Sequence, residues 1–496
     1  MAVGALWLLT QVAKQLGLTQ ALERTPMASL VHWLVFATVL EQGSRLSAVR
    51  LAQRHAVCDI LDLESFDEDD LYQAMDWLAE RQADIERTLF RRRCREQVHP
   101  PVLYLYEVTS SYLEGDQNEL ADYGYNRDGK KGKKHIVIGL LTDEHGWPIT
   151  VEVFAGNTQD PKTLRNQIDK LSQRFGVEHV TFVGDRGMIK SAQISDLTAS
   201  DFHYITAITK PQIEALVRSD VFQWSMFDAQ LVEVMDEKIR YVLRRNPMRA
   251  REIEATRQSK LQRLQGLVAD RNAYLRTHPR AKVQTALRMA QEKAKRLKIH
   301  TWIEIKAKER ELSIEIDKDE KNNEARLDGC YAIKTDLSDR LVSTQTIHAR
   351  YKGLAEVEFA FRTMKTTFLE MRGIFVRNAN RTRAHVFIIM LAYLLAYHLR
   401  RCWSAVELTV EEGIAELASI CTIELIMPNQ VACQIIPEPR PLGQQLLDRA
   451  NITLPDAITH RDITVVTRKK LCPNEKSLNY KMLNKPASDA KMKDRV

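Results

Sequence analysis

The chain has 496 residues, more than one ordinary domain of roughly 100 to 200 residues holds, and its 44% hydrophobic and 28% charged content excludes wholesale disorder. Seven cysteines (Cys58, Cys94, Cys330, Cys402, Cys421, Cys433, Cys472) are odd in number and never spaced Cys-x-x-Cys, which argues against a disulfide framework or a thiolate zinc site and fits a reducing compartment. The net charge of +7 is unevenly placed: residues 238–298 carry 18 Lys or Arg against 4 acids, an excess of 14 that leaves the remainder at −7, and such a block attracts polyanions, nucleic acid above all.

Residues 1–98 read as helical, with Leu71, Met75, Leu78 and Ile85 returning every three or four positions after the acidic start Asp67-Glu68-Asp69-Asp70. The start has no basic region ahead of its apolar stretch and no clear small-residue cleavage site, so no secretory signal and a cytoplasmic chain are expected. It opens almost at once on a helix, a pattern compatible with a missing upstream part, and it shows no clean helix-turn-helix signature. The apolar runs 30–40 and 386–397 fall short of the roughly 20 residues that a membrane span needs, so both read as buried helices and no membrane is expected.

After Pro100-Pro101 the pattern turns to strand: 102–108, then a Gly- and Lys-rich connection at 124–134, then 135–141 and 148–154 as an antiparallel meander. A helix over 160–175 follows, then a short apolar strand at 180–183 ending at Gly184-Asp185-Arg186-Gly187, another helix, and a strand at 204–208. The basic block reads as a helical hairpin broken near Thr277-His278-Pro279, trailed by strand-like sequence at 301–316; a strand at 329–335 and helices from about Tyr351 resume the alternation. The division predicted is 1–98 helical, with DNA-end binding its expected role; 99–210 and 329–403 as two halves of a catalytic domain; 211–328 as a basic insertion; and 404–496 as a C-terminal region whose end, after 468, is basic and expected to be flexible.

That order of elements is the order of the ribonuclease H-like fold: an α/β mixed sheet with flanking helices, here interrupted by the basic insertion and preceded by an all-helical region. In such a fold carboxylates from neighbouring strands lie side by side. Glu107 would come from the first strand, Asp185 from the end of the strand after the first helix, and Glu358 from the helix after the insertion. A pair of magnesium ions about 3.5 to 4 Å apart needs such a cluster, and the ions in turn offset the mutual repulsion of the acids. Each acid also has an ordinary reading: Asp185 as a turn residue or cap, Glu107 as a strand residue without a metal role, and Glu358 as half of an exposed pair with Arg362. Asp160 and Glu152 are weaker candidates, and His385 reads as a packing residue.

The stretch Tyr351-Lys-Gly-Leu-Ala-Glu-Val-Glu358-Phe-Ala-Phe-Arg-Thr-Met-Lys365 resembles the Tyr-Arg-Glu-Lys signature of insertion-sequence DDE transposases; Tyr351, Glu358 and Lys365 match its spacing and Leu354 stands at the Arg position. Val108-Thr109-Ser110-Ser111-Tyr112, Gly156-Asn157-Thr158-Gln159-Asp160, Gly184-Asp185-Arg186-Gly187 and Arg383-Ala384-His385 also resemble this family, in the same order along residues 102–401. The resemblance implies Glu107, Asp185 and Glu358 as catalytic and metal-holding acids. It implies two Mg2+ ions, with Mn2+ able to substitute, and double-stranded DNA held by a homodimer in a bacterial, nucleoid-associated setting. Tyr351, Arg362 and Lys365 would contact DNA, with Lys130 and Lys131 beside them. On this reading Tyr351, Glu358 and Lys365 share one stripe of one helix, and Leu354, Val357, Phe361, Met364 and Phe368 pack on the sheet.

The family has Asp where this chain has Glu107. One extra methylene displaces a carboxylate by roughly 1 Å, an error worth on the order of a hundredfold in rate, so a weakened enzyme is predicted. The activity expected is cutting at terminal inverted repeats and joining of 3′ ends to target DNA. The competing readings are a decayed transposase that only binds DNA and a ribonuclease H-like nuclease without strand transfer.

Overall fold

The structure, a computed structural model, describes residues 1–97, 101–125, 127–175, 177, 180–186, 188–366, 368–371, 374–426, 432–459, 463 and 465. The predicted boundary at Pro100, Gly187, Cys472 and the basic end after 468 lie outside the described residues.

The chain opens with α1 (Gly4–Gln15), α2 (Leu18–Ala21), α3 (Pro26–Leu40), α4 (Arg45–Ala52), α5 (Val57–Leu61) and α6 (Glu68–Glu96). The acidic run before α6 is a capping box: the Asp67 carboxylate accepts from the N–H groups of Asp69 and Asp70 while Asp70 accepts from the Asp67 N–H. Acids in the first turn and Arg93 and Arg95 in the last complement the helix dipole.

Next come β1 (Leu103–Tyr112), β2 (His135–Asp143), β3 (Pro148–Phe154), α7 (Asp160–Asp169), β4 (Thr181–Gly184), α8 (Ser191–Ala199), β5 (His203–Ala207) and α9 (Lys210–Arg218). The helix predicted through residue 175 changes to a wider π-type winding over Lys170–Phe175. β1, β2 and β3 are antiparallel, and β4 and β5 run parallel to β1. Gly146, at φ +81, makes the turn between β2 and β3, a backbone conformation that a side chain would strain.

Beyond α9 stand β6 (Val232–Asp236), β7 (Ile239–Arg245), α10 (Pro247–Thr277), α11 (Val283–Leu297), β8 (Ile303–Lys308), β9 (Glu311–Ile316), α12 (Lys318–Ala325) and β10 (Cys330–Thr335). The sheet runs β3-β2-β1-β4-β5-β10-β7-β6, so its first five strands follow the ribonuclease H-like order and the last three extend it. Residues 239–245 therefore form a strand rather than the start of a basic helix. Tyr241, Val242 and Leu243 are buried there, and Arg240, 1% exposed, is absorbed by Glu233 at 2.8 Å and by the carbonyls of Leu337 and Val342. The rest of the insertion has its own core, where Ala286, Ala290 and Ala294 of α11 meet Leu261, Leu264 and Val268 of α10 over Trp302.

The remaining helices are α13 (Thr344–Lys352), α14 (Leu354–Lys365), α15 (Ala379–Cys402) and α16 (Val410–Ala418), followed by β11 (Ile423–Ile426), β12 (Ala432–Ile435) and α17 (Pro441–Arg449). α15 is long and apolar enough to cross a membrane, yet 83% of its most apolar window is buried inside the protein, where it packs on α3, α6 and β3. The N-terminal helices, the sheet and α15 share one continuous core.

Candidate active site

The sheet brings the first two acids together. β1 and β4 are paired in register as far as Tyr106 opposite Gly184, so Glu107 and Asp185 are the next residues along two parallel strands spaced about 4.8 Å apart. β4 ends at Gly184 because the chain turns there, with the Met188 N–H donating to the Asp185 carbonyl, and the turn leaves Asp185 exposed at the strand's end. α14 buries Leu354, Val357, Phe361 and Met364 against β1 and β2, as its spacing predicts, with Phe368 partly buried just beyond its end. Glu358 is left on the exposed side of that helix.

The acids interact. Burial raises the Glu107 carboxyl from its ordinary 4.5 to about 7, and the negative charges of Asp185 and Glu358 push it the same way, against a hydrogen bond from the Val108 backbone and the positive charge of Arg127. Tyr351 joins the cluster: burial raises its hydroxyl well above the ordinary range, and Asp185, Glu358 and Glu107 add to that while Arg186 opposes it. Asp185 and Glu358, from two distant stretches, therefore sit within electrostatic reach of Glu107.

Among the described residues no group of three or more His, Cys, Asp or Glu stands close enough to hold a metal ion as it is. The donor chemistry still fits a hard divalent cation, since all three groups offer carboxylate oxygens and their mutual repulsion is what a cation relieves. Asp185 and Glu358 are exposed, so their carboxylate oxygens are open to an incoming cation.

The cations predicted beside the acids fare differently. Arg362, Lys130 and Lys131 are exposed, and the Lys130 ammonium lies 5.5 Å from the Tyr112 ring centroid. Lys365 is buried: its side chain is 7% exposed and its Nζ donates to Asp128 at 2.9 Å. Tyr351 and Glu358 belong to two helices, because a one-residue break at Gly353 separates α13 from α14; the Glu356 N–H donates back to the Gly353 carbonyl, a tighter turn that ends the shared stripe. Glycine, the weakest helix former after proline, is the physical reason for the interruption.

Two residues beside the acids escaped sequence reasoning. Arg127 donates its backbone N–H to the Ser110 hydroxyl at 2.9 Å and pairs its guanidinium with Asp160, which places its charge next to Glu107. Arg186 stands beside Tyr351. For Arg186 the signal was its place in Gly184-Asp185-Arg186-Gly187; for Arg127 it was only its position after a Gly-Tyr-Asn run in a lysine-rich loop. Asp160 begins α7 and holds Arg127, while Glu152 pairs with Lys170 at 2.7 Å, so neither joins the three acids. Burial, with the positive charge of Arg45 adding to it, pushes the His385 imidazole down to about 3.

The family described as the transposase DDE domain matches residues 99–395, more than half of the chain. The protein belongs to the DDE transposases. No curated protein resembles this transposase closely enough to count as a match. Among solved structures it is similar to the piggyBac transposase synaptic complex with hairpin DNA, over 83% of this chain and 76% of that one, at 10% identity and a TM-score of 0.39. It is also similar to the Mos1 transposase paired-end complex with the left transposon end, over 33% of this chain and 59% of that one, at 10% identity and a TM-score of 0.16. Both overlays are loose, and the family assignment of the transposase rests on its sequence.

Proposed function

We propose that this DNA transposase cuts at the terminal inverted repeats of an insertion sequence and joins the 3′ ends to target DNA, with Glu107, Asp185 and Glu358 holding two Mg2+ ions. The observation that supports this reading is geometric: the β1–β4 register sets Glu107 and Asp185 at corresponding positions of neighbouring strands, Glu358 lies on the helix packed against β1, and the charges of both reach Glu107. Divalent ions there would supply activation of the attacking oxygen and charge stabilisation at the leaving oxygen.

The chain's own residues do the rest. Asp185 and Glu358, both exposed, are open to incoming DNA, and Glu107 completes the cluster from β1. Arg362, Lys130 and Lys131 are placed to neutralise backbone phosphates near the cut and set its register. The raised Tyr351 hydroxyl stays protonated at neutral pH and is a hydrogen-bond donor to DNA. The α10–α11 hairpin, whose excess positive charge lies largely on its outer surface, lies against the duplex, and two copies of the chain hold both element ends.

The test is cleavage of duplex DNA carrying the element's ends with Mg2+ or Mn2+. Asp185→Ala and Glu358→Gln each abolish cutting while leaving DNA affinity within about threefold of wild type; affinity lost together with cutting in both would count against the assignment. Strand-transfer products distinguish a transposase from a nuclease that stops at hydrolysis.

A further inference from the structure

We propose that Lys365 is a positioning residue that locks the catalytic helix to the first strand, and that it is not a phosphate contact. The inference rests on the three-acid reading above. Lys365 ends α14, seven residues or about 10 Å along the axis from Glu358. Its ammonium meets Asp128 at 2.9 Å with the two side chains 7% and 2% exposed. Asp128 lies in the connection between β1 and β2. The residue before it is tied to β1 through the Ser110 hydroxyl and to α7 through Asp160.

The chain beyond α14 is stitched to the same strand. The Met371 N–H donates to the Met364 carbonyl at 2.9 Å, the Ser111 hydroxyl of β1 donates to the Met371 carbonyl at 3.0 Å, and Leu113 bridges to Ile374. The C-terminal end of α14 is thus fastened to the strand that carries Glu107, and the Lys365–Asp128 pair is the charged fastening. A catalytic constellation tolerates only about 0.5 Å of misplacement, so slack at this end is transmitted to Glu358 along a rigid helix. A phosphate contact asks for the opposite placement. An ammonium already neutralised by a buried carboxylate contributes little to counterion release when DNA binds.

The experiment measures two quantities on end-containing duplex DNA: the slope of log affinity against log salt, and single-turnover cleavage well below the unfolding temperature. Lys365→Met and Asp128→Asn are each expected to slow cleavage by roughly a hundredfold at saturating DNA, with the half-saturating DNA concentration and the salt slope unchanged. The double variant is expected to be no slower than the slower single one, and Lys365→Arg to recover most of the rate. Arg362→Gln, at an exposed site, serves as the comparison and lowers the slope by about 1. Should the single variants fail to fold, Lys365→Met with Asp128→Leu replaces the pair by apolar groups of similar shape, and its salt slope is expected to match wild type.

A fall of about 1 in the slope for Lys365→Met or for the apolar double, or wild-type cleavage by Asp128→Asn, overturns the proposal. Glu358→Gln in the same assay keeps the two questions apart: cutting at the wild-type rate there removes the three-acid reading itself, whatever the salt slopes show.

Discussion

At the residue scale the decisive side chain is Glu107. Its position is set by register, one step beyond the Tyr106–Gly184 pair, and its electrostatics by burial and by Asp185 and Glu358. The longer side chain puts the carboxylate roughly 1 Å further from the backbone than Asp would, and Arg127 beside it favours the ionised form. Glu107→Asp is therefore expected to raise the cleavage rate, by up to about a hundredfold if the backbone has made no compensating shift. The same assay run with Glu107→Gln should show none. Equal rates for Glu107 and Asp would mean that the strand has already moved to suit the longer acid.

At the element scale the helical hairpin α10–α11 is where charge and fold separate. Leu261, Leu264 and Val268 and the alanines of α11 hold the hairpin together, while Arg257 is withdrawn from solvent by Asp328 at 2.7 Å. Lys295, Arg296 and Lys298 are exposed at and just beyond the end of α11. Replacing these three by Gln should reduce the salt slope of DNA binding by about 0.9 for each phosphate left without its cation, close to 3 if all of them touch DNA, with thermal unfolding unchanged. A slope unaltered within error would place DNA on another face. The break between α13 and α14 belongs to this scale as well, since Tyr351 comes to the acids from one helix and Glu358 from the next.

At the scale of the whole molecule the N-terminal helices and the catalytic sheet share a core, so a local charge in that core affects the entire fold. His32 on α3 is 5% exposed, its Nδ1–H donates to the Ala28 carbonyl at 2.9 Å, and burial holds its imidazole at about 4 against an ordinary 6.5. The folded value lies below the unfolded one, so the stability from keeping this ring neutral is full above pH 6.5 and is lost as pH falls through 4. The full difference corresponds to about 3 kcal/mol. Thermal unfolding followed from pH 7 to pH 4 should show a loss that His32→Gln reduces without removing, because His385 is held lower still, at about 3; an undiminished loss in His32→Gln would assign the acid sensitivity to His385 and other groups.

Much was legible before any coordinates. The strand–helix alternation from Leu103 to Ala207 follows directly from apolar spacing and turn residues, because each of those elements is coded within a dozen neighbouring residues. The burial of α14 against the sheet was equally local. Other features were not. β7 looks like part of a basic helical block until β6 and β10 supply its partners and Glu233 neutralises Arg240. Lys365 carries a DNA-contact spacing, yet its environment is made by Asp128, 237 positions away in sequence.

The sequence by itself determined the order of elements, the family to which the chain belongs, and which acids could meet, because hydrophobic periodicity and motif spacing are properties of short stretches. Only the tertiary structure decided which of the cations face solvent, which strands extend the sheet, and that Glu107 feels the charges of Asp185 and Glu358. Burial and Coulomb interaction depend on distances in space, and residues far apart in the chain acquire those distances only when the sheet and its helices close around a common core.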